Sequence, residues 1–216
     1  MIDGAEIERA LIEDERGVAR VEAFSDGVLA IILTIMVLEL KAPDREGFSP
    51  LFHLWPTAFA YVLSYFYISV YWVNHHRLFS HARVVTNELL WSNITLLFTL
   101  SVLPVTTAYV GKHLSSSPAS AIYLASLLAP SGAYYWLQKV IRRTGGCGPG
   151  VERYHRATMR KGLVASAVYA AAVPLSFVSS GISLTLAGLV GMLWILPWGP
   201  LDRVFLGKST VDHAGE

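Results

Sequence analysis

An all-α integral membrane protein with six transmembrane helices is the fold class this sequence predicts, and three observations carry it. The 216 residues are 53% hydrophobic and 15% charged with a mean hydropathy of +0.46, whereas a soluble domain carries about 25% charge. The apolar residues are gathered into long uncharged windows, and the 17 Lys and Arg residues fall almost wholly on one side of them. Seventeen basic residues against 16 acidic ones create no field that would attract nucleic acid. The single cysteine, Cys147, excludes an intramolecular disulfide framework and a cysteine-rich metal site.

The first span is the least obvious. Its uncharged window, 27–38, is 12 residues, or about 18 Å of helix against a hydrocarbon core of roughly 30 Å. It must extend back past Asp26 and Glu22, giving a helix over about 18–40 with carboxylates near one membrane face. The N-terminal arm before it is acidic and polar and lacks the basic n-region of a cleavable signal. The windows 47–76, 89–111 and 113–138, of 30, 23 and 26 residues, predict helices over about 50–76, 87–111 and 117–141. The last window, 162–201, is 40 residues long and is broken by Ser179-Ser180-Gly181. It predicts a hairpin of two helices, over about 160–179 and 182–201. Neither the arm nor the 139–161 connector is long enough to bury a core. The whole chain, 1–216, is therefore expected to be one transmembrane domain with no soluble domain.

Charge placement orients these spans. Alternating the loops puts 14 Lys and Arg on one side and three, Lys41, Arg45 and Lys112, on the other. Cytoplasmic loops collect basic residues, so both termini are expected in the cytoplasm of a multi-pass cell-membrane protein.

Two features of the first helix point to chemistry. At 100° per residue, Phe24, Val28, Ile31, Ile35 and Leu38 fall within about 80° of one another, with Thr34 at the edge, while Glu22 and Asp26 point away. Such a stripe is a lipid-facing or core surface, or the wall of a pore with apolar constrictions. Composition does not choose between them. Asp26 needs a partner if it lies near hydrocarbon, and His75, His76, Arg77, Asn87, Glu88 and Asn93 are expected at its level. An interhelical strut, a proton relay and a metal site are the three readings. Adjacent histidines diverge by about 100° on a helix and no His-x-x-x-His occurs, which disfavours the metal. Phosphate-loop, hydrolase, zincin and carbonyl potassium-filter motifs are absent, so no enzymatic activity and no cofactor is expected.

The run R-V-E-A-F-S-D-G, Arg20 to Gly27, opens the first helix with an Arg-x-x-x-Phe-Ser-Asp pattern; W-V-N-H-H-R-L-F closes the second span, and Asn93 and Pro104 lie in the third. In these motifs the chain resembles the transmembrane protein 175 family of potassium channels. The resemblance covers spans one to three; spans four to six match only in number and hydrophobicity. It implies a homotetramer of six-helix chains, with one first helix from each copy lining the pore and membrane lipid outside. Ile31, Ile35 and Leu38 would be apolar rings and Thr34 a hydroxyl ring. Arg20, Phe24, Ser25, Asp26, Gly27, Trp72, His75 and Asn93 would be the family motif and the network behind the pore. Potassium would pass, and caesium or other monovalent cations with it, with modest preference over sodium because an isoleucine ring offers no oxygen in place of lost water. The competing expectation is a proton- or cation-coupled secondary transporter in which Asp26 and His75 titrate.

Overall fold

The computed structural model describes residues 4–44, 46–145 and 149–195. These form eight helices, with no strand among the described residues: α1 (Gly4–Val37), α2 (Phe48–Phe52), α3 (Trp55–Phe79), α4 (Asn87–Ser101), α5 (Leu103–Lys112), α6 (Ser117–Thr144), α7 (Pro149–Leu175) and α8 (Ser180–Ile195). The six expected spans correspond to α1, α3, α4 with α5, α6, α7 and α8. Among the described residues, one helical stretch, Asn87–Lys112, is both long enough and apolar enough to cross a membrane on length and composition alone. The apolar stretch of α8, Ser180–Met192, is shorter than a span.

On the side of the basic loops the helices run past the charge-based boundaries, whereas at their other ends α1 stops at Val37, α3 starts at Trp55 and α7 stops at Leu175, short of the expected 40, 50 and 179. α1 begins at Gly4 rather than near 18, so the arm expected outside the first span is helical. α3 continues to Phe79, and the start of the 47–76 window forms the separate turn α2. α6 and α7 take up most of the 139–161 connector. A charge marks where hydrocarbon ends, not where i→i−4 hydrogen bonding ends, and Glu, Arg and Lys are good helix formers. The helix expected over 87–111 breaks at Val102, because Pro104 in the first turn of α5 has no N–H to continue the ladder. Cys147 and the part of the last span beyond 195 lie outside the described residues.

Local signals set the starts. Thr86 caps α4 through its Oγ1, which accepts from the Leu89 N–H at 3.1 Å. Prolines stand in the first turns of α3, α5 and α6, where a missing N–H costs nothing. α6 ends at Gly145, with Arg142 and Arg143 on the negative end of its dipole. A Cβ at Gly145 would lie 2.5 Å from the His81 carbonyl oxygen, so that close approach requires glycine.

α6 is the central post. It packs against α7, α4 and α5, while α1 lies on α3 and α4, and α8 leans on α7 and α3. Leu29, Ile68, Leu78, Leu89, Leu96, Leu124 and Leu137 are fully buried between them. In a bilayer such side chains gain little from leaving lipid, so helix association rests on close packing and interhelical hydrogen bonds. Those bonds are present deep in the core: Thr107 Oγ1 donates to Ser64 Oγ at 2.7 Å, Ser64 and the Tyr123 hydroxyl are 2.9 Å apart, and Thr106 and Ser126 are 2.8 Å apart.

Candidate functional site

The two faces of α1 have opposite environments within one chain. Ser25, Leu29, Ile32 and Met36 face α3 and α4 and are buried, Leu29 and Met36 to 1% exposure. On the opposite face Phe24 is 60% exposed, Ile31 58%, Ile35 46% and Leu38 70%. Thr34 and Gly27 are exposed on that side too, and a Cβ at Gly27 would meet nothing within 4 Å. Apart from Val28, which is half-buried against the core, the apolar stripe is thus not part of the chain's own core. It is a surface about 21 Å long from Phe24 to Leu38 at 1.5 Å per residue, left open by the fold.

Thr34 carries the one hydroxyl on this exposed face. Its Oγ1 donates within its own helix, 3.0 Å from both the Ala30 and the Ile31 carbonyl oxygens. With the hydrogen spent on the backbone, the oxygen lone pairs face outward and can only accept or coordinate.

Behind the stripe the buried face carries a directional chain of hydrogen bonds across three helices. Ser25 Oγ donates to the Val21 carbonyl at 2.8 Å, Asn93 Nδ2 donates to Ser25 Oγ at 2.8 Å, and Asn93 Oδ1 lies 2.8 Å from His75 Nε2. An amide oxygen only accepts, so Nε2 of His75 carries its proton there. His75 stacks on Phe79 with ring centroids 4.3 Å apart. Ser25, His75 and Asn93 are all buried. This chain of bonds ties three helices together, with His75 Nδ1 the one polar atom of the network that is buried without a hydrogen-bond partner.

Two further rungs join α1 to α3. Trp72 Nε1 donates to Asp26 Oδ1 at 2.9 Å, and His76 Nδ1 lies 2.8 Å from Glu22 Oε1. The residues pair in antiparallel register, 22 with 76 and 26 with 72, and the Trp72 and His76 rings stack. Asp26 therefore accepts a hydrogen bond from Trp72, a residue not among the six partners considered for it from sequence, and its charge also acts on His75, which was among them. The sequence held part of the signal, since an indole N–H needs an acceptor and both pairs have the i, i+4 spacing of one helix face, but not the crossing of α1 and α3 that selects the pair. Arg20 and Phe24, expected in the network from the resemblance, are exposed on the stripe side in the single chain and stand apart from it. Among the described residues no cluster of three or more His, Cys, Asp or Glu could hold a metal.

Comparison with known proteins gives a consistent picture. Residues 20–104 match the family described as the endosomal/lysosomal potassium channel TMEM175. A potassium channel of Chryseobacterium sp. (strain P1-3) is 37% identical over 179 residues, covering 82% of this chain and 92% of that protein. A potassium channel of Streptomyces collinus is 35% identical over 185 residues, 81% and 90% of the two chains. The human endosomal/lysosomal proton channel TMEM175 is 38% identical over 82 residues, 32% of this chain and 16% of that one. The crystal structure of a lysosomal potassium-selective channel TMEM175 homolog from Chamaesiphon minutus superposes with a TM-score of 0.75 at 28% identity, covering 83% of this chain and 97% of that chain.

Proposed function

This chain belongs to the TMEM175 family of ion channels, and from that premise we propose that it is a potassium-permeable channel of the cell membrane, a homotetramer whose pore is lined by the exposed face of α1. Membership makes it a membrane protein and a channel-family protein rather than an enzyme. The observation that carries the pore reading is the split character of α1, with its apolar stripe left open by the same fold that buries Leu29 and Met36. Four copies related by a closed rotation axis would bring four such stripes together and cover them.

In this reading the six helical segments each cross the bilayer, with both termini on the cytoplasmic side and the basic loops with them. Ile31, Ile35 and Leu38 form successive apolar rings. A cation passing them gains no oxygen ligand, so the barrier is partial dehydration. Potassium holds its water less tightly than sodium and is favoured modestly. Thr34 supplies the exception, four outward lone-pair sites one turn from the Ile31 ring. An apolar ring also gates by dewetting, so a small tilt of α1 on α3 and α4 closes the path without a separate lid. The Ser25–Asn93–His75 chain and the Asp26–Trp72 rung hold α1 from behind, fixing which face turns to the axis.

The test is passive flux through purified protein in liposomes under potassium, caesium and sodium gradients, with Ile31→Asn alongside. The expected outcome is flux favouring potassium, with a lower potassium-to-sodium ratio in the variant. An unchanged ratio removes Ile31 from the constriction, and uptake that requires a coupled sodium or proton gradient sinks the channel in favour of a carrier.

A further inference from the structure

On the side of the molecule formed by α3 and α8, two cavities meet. One, of 540 Å³, lies at the end away from the basic loops and is rimmed by Trp55, Ser115, Ser117, Ser179 and Ser180. The other, of 420 Å³, runs along the helices and is walled by Val62, Leu63, Phe66, Leu184, Ala187 and Gly188. Phe59, Leu184 and Thr185 line both, so the serine-rimmed mouth opens directly onto the apolar groove. We propose that this groove binds one membrane lipid with an uncharged, hydroxyl-bearing headgroup, the class of acylglycerols and glycolipids.

Three features of the site select that chemistry. The mouth is rimmed by neutral polar groups, with Ser180 Oγ donating to the Ser115 carbonyl and Ser179 Oγ accepting from the Ile182 N–H, and among the described lining residues neither cavity has a charged side chain. A phosphate would call for Arg or Lys there, whereas a glycerol or sugar needs neutral donors and acceptors and the face of an exposed indole, which Trp55 supplies. The groove below is lined by aliphatic and aromatic side chains, with Phe59, Val62, Phe66 and Met192 open to the outside. Gly188 keeps the groove open: the nearest atom to a Cβ there is Leu63 Cδ1 at 3.9 Å, so a methyl fits and a longer side chain takes the place of the tail.

The proposal rests on the chain being a membrane protein and not on its pore, so potassium flux and lipid retention are separate readouts. The experiment is native mass spectrometry of the full-length protein released from detergent containing monoolein or dioleoylphosphatidylglycerol. Wild type is expected to retain monoolein, one per chain, in preference to the anionic lipid. Gly188→Leu should lower retention at least tenfold, Gly188→Ala should leave it unchanged, and Ser115→Ala with Ser180→Ala should lower it severalfold. Met192→Trp, at the exposed rim, serves as the blocking variant if Gly188→Leu does not fold. Equal retention of the two lipids, or undiminished monoolein in the blocked variants, overturns the proposal. So does a photo-crosslinker at Val62 that captures a second copy of the chain in a bilayer.

Discussion

Asn93 is the residue on which the most helices depend, since its amide bridges Ser25 of α1 and His75 of α3 from its own place in α4. Replacing it with Leu keeps the volume and leaves the buried His75 Nε2–H without an acceptor, while Ser25 keeps its bond to the Val21 carbonyl, a loss of about 1–3 kcal/mol. The expected result is a lowered melting temperature in detergent with α-helical content retained below the transition, and an unchanged melting point would show that the chain contributes nothing. Asp26 separates two mechanisms. Asn at that position still accepts from Trp72 Nε1, so in a channel Asp26→Asn conducts as wild type does, while Trp72→Phe, which deletes the donor, weakens assembly. In a carrier whose carboxylate must titrate, Asp26→Asn abolishes transport, and liposome flux distinguishes the two. Ile31, Thr34 and Asp26 were all visible as special in the sequence, because period and charge are local properties. The Trp72–Asp26 pair was not assigned, because choosing one donor among several at the same depth depends on the angle at which α1 crosses α3.

At the scale of elements, contact between helices depends on a few positions without side chains. A Cβ at Gly111 would lie 2.9 Å from the Thr57 Cα, backbone that cannot swing aside, where α5 meets α3. Thr57 Oγ1 also donates to the Gly111 carbonyl at 3.3 Å. Gly111→Ala should therefore push α5 off α3 and cost about 1–3 kcal/mol, read as a lower melting temperature. The α6–α7 hairpin carries a pH-dependent element outside the spans. His155, buried beside Gln138 and edge-on to His81, has its pKa held below the ordinary value by burial first and by the His81 and Arg142 charges after it, with Glu152 opposing. The fold thus favours the neutral ring, and the unfolded chain takes up the proton first. Stability should be full above about pH 6.5 and fall as pH drops below it. His155→Gln should flatten that slope in melting curves between pH 7.5 and 5.5, and an unaltered slope assigns the dependence elsewhere.

For the whole molecule, the proposed assembly makes a geometric claim: four copies of Leu38 converge where α1 leaves the membrane. In a Cys147→Ser background, Leu38→Cys should form disulfide-linked dimers on mild oxidation, while Cys placed at the buried Met36 should not; the reverse pattern would put the stripe away from the axis. Family membership and an all-helical membrane fold were determined by the sequence itself, since long uncharged windows, one-sided basic loops and the Arg20 to Gly27 motif are read residue by residue along the chain. Helix limits were not, because Gly4 to Val18 and Pro149 to Lys161 are charged yet helical, and charge reports the solvent rather than the backbone. The alternatives left open for the α1 stripe narrowed only in three dimensions. A helical wheel shows that two faces differ, but which face a subunit buries depends on what α3 and α4 present to it. Ser25 and Leu29 went inward because Asn93 and the α3–α4 core offered them hydrogen bonds and close packing, which left Ile31 and Leu38 outside.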